Sequence, residues 1–146
     1  MTDSTPALLA TKPTWLISQV SAQAHRLLTQ ALAAAGARGY HYRLLAALAE
    51  AGPASQARLG RRTGIDRSDV VASLNELADR SLVSRSPDPD DARRNVITIT
   101  PAGRAYFRRL DQILTNVQDE LLTPLTSAER DTLVALLTRL LKHHDG

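Results

Sequence analysis

The sequence predicts a mainly α (α+β) protein, with a helix-turn-helix followed by a β-hairpin and set between long terminal helices. Three observations carry this. Apolar residues recur at three- and four-residue spacing over most of the 146 residues, as buried helical faces require. Two β-type runs, residues 82–86 and 95–100, interrupt that pattern and flank a polar loop holding two prolines. Just upstream, two short helical segments meet at one glycine, Gly64.

Residues 1–12 are small and polar and are expected to fray. From Thr14 to about Ala35, Trp15, Ile17 or Val20, Ala24, Leu27, Leu28 and Leu32 line one helical face, and Gly36 and Gly39 bracket a break. A second helix, residues 42–51, carries Leu44, Leu45 and Leu48 and stops at Gly52-Pro53. Ser55 caps the short helix "QARLGRRT", and Gly64 ends it in the left-handed conformation that glycine adopts cheaply. Asp66 is the expected N-cap of the next helix, Asp69 lies in its first turn, and Val70, Leu74 and Leu77 form its buried face. The β-type runs then form a hairpin with a connection longer than a tight turn. Pro101 is the expected first residue of a long helix reaching about Leu122, with Phe107, Leu110, Ile113, Leu114, Val117 and Leu121 on one side. After Pro124, Thr126 and Glu129 form a capping box for a last helix bearing Leu133, Leu136, Leu137, Leu140 and Leu141.

Composition narrows the function classes. The chain has 43% hydrophobic but only 3% aromatic residues, so the core is aliphatic. It has no cysteine, which excludes disulfides, thiol redox sensing and cysteine-ligated zinc. No Arg/Lys-led apolar block opens the sequence and no apolar run approaches ~20 residues, so no membrane association and a cytoplasmic location are expected. The net charge is +3, and every basic residue except Lys12 and Lys142 is arginine, the side chain best suited to phosphate and guanine. An Ala- and Arg-rich bias of the genome would produce the same composition.

The stretch "SPDPDDARRNVITIT" sorts its charges by sign. A hairpin after a helix-turn-helix is a wing, and a wing tip needs a cation to meet the negative minor groove. Asp91 lies two residues before Arg93, close enough for the carboxylate to hold the guanidinium and restrict its rotamers, while Pro87 and Pro89 stiffen the loop.

The run "DARRNVITITPAGRA" resembles the wing of the MarR (multiple-antibiotic-resistance regulator) family: Asp-x-Arg, five residues, then an aliphatic residue and Thr. Asp91, Arg93, Ile99 and Thr100 fit that spacing, and "GIDRSDVVASLNELADRSLVSRSPDPDD" resembles the family's recognition helix and first wing strand. The resemblance covers about residues 40–109. It implies one MarR-type domain over 1–146, with residues 40–100 as the DNA-binding winged helix-turn-helix and 14–35 and 101–144 as dimerisation helices. The implied protein is a homodimeric, ligand-responsive repressor on a pseudo-palindromic operator in double-stranded DNA. The implied DNA contacts are Ser55, Gln56, Arg67, Ser68, Asp69, Arg85, Asp91, Arg93 and Arg94, with Arg58, Arg61 and Arg62 either contacting or merely solvated. The sequence departs from the family in an acid at Asp69, best explained as a cap, in Ala72 where a basic residue is common, and in Ser81 where glycine is usual.

Relatives that bind small aromatic acids direct attention to Trp15, Tyr40, His41 and Tyr42, which sit at helix junctions and offer apolar faces with polar tips. No cofactor is expected. Two other regulators remain open: a winged helix used only for protein contacts, which would not need a braced Arg93, and a metal-responsive regulator, for which no spaced His cluster exists. An enzyme is not expected, since no Gly-rich phosphate loop, nucleophile elbow or zinc-protease helix is present.

Overall fold

Pro13 opens the first long helix, where its missing N–H is one that the first turn leaves unpaired in any case. The computed structural model describes residues 4–145. Its elements are α1 (Ala7–Ala10), α2 (Pro13–Ala34), α3 (Gly39–Ala51), β1 (Ala54–Ser55), α4 (Gln56–Thr63), α5 (Arg67–Asp79), β2 (Val83–Pro87), β3 (Asn95–Ile99), α6 (Pro101–Leu121) and α7 (Ser127–Asp145). The fold is the winged helix-turn-helix that the sequence predicts, mainly helical with one small antiparallel sheet.

Several expectations need correction. Of the segment expected to fray, residues 1–3 lie outside the described residues, but Ala7–Ala10 form a helical turn with Leu8 80% exposed. The second helix starts at Gly39, not Tyr42, because the backbone N–H of Arg38 donates to Nδ1 of His41 (3.3 Å) and so caps an earlier turn. Strand β1 was not foreseen. It pairs Ala54 with Ile97 and Ser55 with Val96, making the sheet three-stranded in the order β1-β3-β2. Asp66 is the N-cap residue of α5, yet its side chain makes no capping hydrogen bond.

Helices α3 to α6 and the sheet close on one core. Leu44, Leu45, Leu48, Leu59, Val70, Leu74, Leu77, Ile97 and Leu110 are fully buried. Each such side chain contributes roughly 1.5–3 kcal/mol of transfer free energy. The recognition helix α5 thus presents Val70, Leu74 and Leu77 inward, which leaves Arg67 and Ser68 exposed at its N-terminal end.

The junction from α5 into the wing is built on Ser81. Its φ is +59°, left-handed, and Leu82 N–H returns to the Leu77 carbonyl (2.9 Å) while Ser81 N–H returns to Ala78 (2.9 Å). This is the Schellman closure, usually completed by glycine. The Ser81 carbonyl accepts from the Thr100 hydroxyl (2.7 Å), whose oxygen accepts from Gly103 N–H (2.9 Å) to cap α6. A Cβ at Gly103 would be driven into the Leu82 carbonyl, so only glycine lets α6 start against β2. The left-handed strain at Ser81 leads to a first prediction: Ser81→Gly raises stability by roughly 0.5–1 kcal/mol, part of the left-handed penalty being offset by glycine's chain entropy. Thermal unfolding checks it, and Ser81→Ala is expected to give no gain. Equal gains from both would place the strain elsewhere.

Helix α7 stands apart from this core. It has no buried residue and exposes Val134, Leu136, Leu137, Leu140 and Leu141. The Thr126 and Glu129 capping box forms as expected (2.9 and 3.2 Å), and Arg130 pairs with Asp119 of α6 (3.0 Å). Among the described residues, no helix is long and apolar enough to cross a membrane.

Candidate nucleic-acid interface

The wing loop is held by its own backbone. Asp88 N–H donates to the Arg94 carbonyl (2.9 Å), Arg94 N–H to that of Asp91 (3.0 Å), and Asp91 N–H to that of Asp88 (3.2 Å). On this frame Asp91 grips Arg93 three times. Oδ1 accepts from the Arg93 backbone N–H (3.1 Å) and from Nε (3.1 Å), and Oδ2 accepts from Nη2 (3.3 Å). Asp91 Oδ2 also pairs with Arg94 Nε at 3.4 Å, which the two-residue spacing did not reveal. The Arg93 side chain is 91% exposed against 24% for Asp91, so the cation projects from the tip while its anchor lies beneath. The hydrogen bonds from the Arg93 side chain and backbone, aided by the Arg94 charge, hold the Asp91 carboxyl below the usual carboxylate range. The brace is therefore charged at neutral pH and is released only when pH falls through that lowered value.

The fold gathers Ser55, Gln56, Arg67 and Arg94 beside this tip, whereas Ser68, Asp69 and Arg85 lie outside the cleft they line. A cleft of about 640 Å³ is bounded by Ser55, Gln56, Arg61, Arg67, Arg93, Arg94 and Asn95, with Ile65 and Val70 in its wall. It spans the start of α4, the N-terminal turn of α5 and the wing, so that a helix N-terminus and the wing cations border one hollow. Ser55 Oγ accepts from Arg58 N–H (3.2 Å), as its capping role requires, and its own hydroxyl proton stays free to donate. Arg67 and Ser68 are exposed on the first turn of α5. Asp69 lies in the same turn, partly buried and outside the lining of this cleft; it complements the helix dipole but does not cap by hydrogen bonding. Arg85, on β2, donates through Nη2 to Asn75 Oδ1 (2.6 Å) on α5, tying the wing root to the recognition helix.

The four aromatic and histidine positions do not share a cavity. His41 is buried at 3% exposure with both nitrogens engaged. Nδ1 accepts from Arg38 N–H, so Nε2 carries the proton toward Glu76 Oε2 at 2.7 Å. Tyr42 donates to Asp111 Oδ1 (2.7 Å) and stacks on Phe107; burial first, then the Asp111 hydrogen bond, push its pKa up to about 12, so it remains a donor at neutral pH. Tyr40 is exposed and lies beside the Arg43 guanidinium, and Trp15 is half-buried on α2. A groove of about 500 Å³ is lined by Tyr42 but by none of the other three. Among the described residues, no three His, Cys, Asp or Glu side chains gather as a metal-binding group.

Two features were out of reach of the sequence. Arg80, at the end of α5, donates to the Gly36 carbonyl (3.2 Å) and to Tyr106 Oη (3.2 Å), while Tyr106 donates to the Ala35 carbonyl (3.2 Å). This strap fastens the recognition helix to the α2–α3 break and to α6. Glu76 joins Arg38 (3.4 Å) and His41 in the same way. Both residues lie in the stretch that resembles the recognition helix, but nothing local names their partners; only the long-range fold pairs them.

Comparison with known proteins points one way. Residues 36–94 match the profile described as MarR family. A putative transcriptional regulatory protein for the hcr operon of Thauera aromatica is 33% identical over 99 residues, 68% of this chain and 60% of that relative. The chain thus spans about three fifths of the length of the curated relatives it matches, 60% and 61% for two of them. The structure of a probable transcriptional regulator from Pseudomonas aeruginosa superposes with a TM-score of 0.80 at 31% identity, covering 90% of this chain and 98% of that one. The PcaV transcriptional regulator of Streptomyces coelicolor, solved in complex with its natural ligand, superposes at 0.78 with 28% identity, covering 97% and 98%.

Proposed function

The chain belongs to the MarR family of transcriptional regulators, and from that premise we propose that it is a repressor acting as a homodimer on a pseudo-palindromic operator. The observation that carries the DNA reading is the grip of Asp91 on an Arg93 that is otherwise free to solvent. An exposed arginine fixed in direction is an expense in rotamer entropy that a merely solvated turn does not need. Ser55, Gln56, Arg67 and Arg94 line the same cleft with donors suited to phosphate and base edges; Ser68 and Asp69 lie beside Arg67 in the first turn of α5, and Arg85 at the wing root, as further candidate contacts. The unsupported apolar face of α7, with Leu16, Ile17 and Val20 exposed on α2, supports dimerisation, since so many large apolar side chains rarely stay bare. One MarR-type domain then uses residues 40–100 to bind DNA and residues 14–35 and 101–144 to dimerise, in the cytoplasm where its operator is.

We extend the reading to an effector, a small aromatic acid, on the precedent that PcaV holds a natural ligand. Tyr40 lies in the first turn of α3 and Tyr42 packs on Phe107 at the α3–α6 contact, where a bound ring would shift the winged helix against the long helices, while Trp15 lies near the start of α2. The engaged nitrogens of His41 favour a supporting role for it in that movement.

The test is operator selection from random duplex DNA followed by binding over a range of salt. The selected sites are expected to be pseudo-palindromes with half-sites about one helical turn apart. Affinity is expected to fall on the order of a hundredfold or more over a few-fold rise in salt, because each neutralised phosphate releases counterions. A flat salt response, or equal binding of all sequences, would return the protein to the class of winged helices used for protein contacts. Loss of the gene is expected to raise expression from the selected promoter if the protein represses it.

A further inference from the structure

Helix α4 carries three arginines and no acid, and the cleft described above uses only one of them, Arg61. On the other side of the ridge formed by Arg61 and Arg94 lies a second open cleft of about 620 Å³. Arg58, Arg61, Arg62 and Arg94 line it, opposed by a single carboxylate, Asp88, which already accepts from Asp90 N–H (2.9 Å). Among the described residues, the guanidinium groups of Arg58, Arg61 and Arg62 make no ion pair and no hydrogen bond, Arg58 bonding only through its backbone N–H to Ser55. Like charges around one hollow repel each other, and one carboxylate in the lining is too few to balance four arginines. No residue of the recognition helix α5 lines the second cleft. It shares Ser55, Arg61 and Arg94 with the first cleft and so continues that basic surface along α4 and the wing root, beyond the residues of α5.

We infer that this cleft is a second, sequence-independent DNA surface, on which the arginines of α4 hold the phosphates of duplex flanking the operator. The inference rests on the DNA reading above and adds the extent of the footprint to it. Guanidinium groups on a one-turn helix face are spaced to meet successive phosphates, and the outer cleft is polar and open, as a backbone contact requires. The competing role for Arg61 and Arg62 is to complement the C-terminal dipole of α4, in whose last turn they lie.

The experiment uses the full chain and two duplexes: the selected operator ending flush with its half-sites, and the same operator extended by about one helical turn of unrelated sequence at each end. The wild type is expected to bind the extended duplex roughly tenfold more tightly. R58A/R62A, which leaves the inner cleft untouched, is expected to bind the flush duplex within about twofold of the wild type and to lose the gain from the flanks. Its salt dependence on the extended duplex is expected to be shallower by about 3–4 in log–log slope, for two phosphates on each of two protomers. R58K/R62K is expected to keep most of the gain, because phosphate recognition here needs charge and not a particular base. Binding of neither duplex by the wild type removes the DNA reading itself. Binding of the flush duplex with no gain from the flanks overturns this inference alone. So does a gain retained by R58A/R62A with only its melting temperature lowered, which would assign the arginines to the helix dipole.

Discussion

A chain carrying Leu136→Glu together with Leu140→Glu is expected to sediment as a monomer of 15.9 kDa, and the parent is expected at twice that mass. The two leucines are four apart on α7 and both about half exposed, with Leu137 and Leu141 beside them. None of these side chains is needed by the core, which closes without α7, so the substitutions leave the winged helix folded. In a dimer that buries this face, each introduced carboxylate is a buried charge without a partner, at several kcal/mol apiece. Two per protomer, four per assembly, exceed the ~8 kcal/mol that holds a micromolar complex together. Operator affinity is expected to fall with the mass, because one winged helix alone loses the effective concentration that its twin supplies. Sedimentation equilibrium and circular dichroism together decide the matter. A parent that is monomeric with full helicity, or a double variant that stays dimeric, would remove α7 from the interface.

How far the molecule could be read from its sequence depends on the range of each interaction. Helices with a continuous apolar face were legible to within a few residues, since Leu44, Leu45 and Leu48 or Val70, Leu74 and Leu77 declare a period of their own. The Thr126–Glu129 box and the Gly64 cap are local chemistry and were equally plain. Strand β1 is two residues long, too short for any period, and exists only because β3 offers it an edge. The start of α3 was misplaced because its cap is a histidine ring acting on an arginine backbone, which no common capping pattern describes. Asp66 fits such a pattern and yet makes no capping bond, so residue type alone overstated its role.

The candidate site divides along the same line. The Asp91–Arg93 brace is two residues wide and was visible as spacing. The meeting of Arg61 with Arg94, and the Arg80 strap to Tyr106 and Gly36, join residues 26 to 44 apart in sequence and needed the fold. Ser81 lies between these cases. Its departure from glycine was legible, while the left-handed backbone that makes the departure costly required the structure.

Arg93→Ala is expected to weaken operator binding by roughly 1–3 kcal/mol, about fivefold to 150-fold, the range of one specific groove contact. Melting temperature and dimer mass are expected to stay put, because a side chain so exposed contributes little to folding. Asp91→Ala separates the explanations. By charge alone, removing an acid near phosphate should tighten binding. The geometry argues the reverse. Asp91 holds Arg93 through three hydrogen bonds and steadies Arg94 from 3.4 Å, so without it both cations search more rotamers before they can dock. Asp91→Ala is therefore expected to bind more weakly than the parent. Asp91→Asn should fall between the two, since its amide oxygen can still accept from the Arg93 backbone but carries no charge. Adding Asp91→Ala to Arg93→Ala is expected to cost less than it does in the parent, because the acid then has only Arg94 left to orient. Anisotropy titrations of the four proteins close this cycle. Tighter binding by Asp91→Ala, or strictly additive losses, would mean that the acid does not aim the arginine and that the wing's charges act independently.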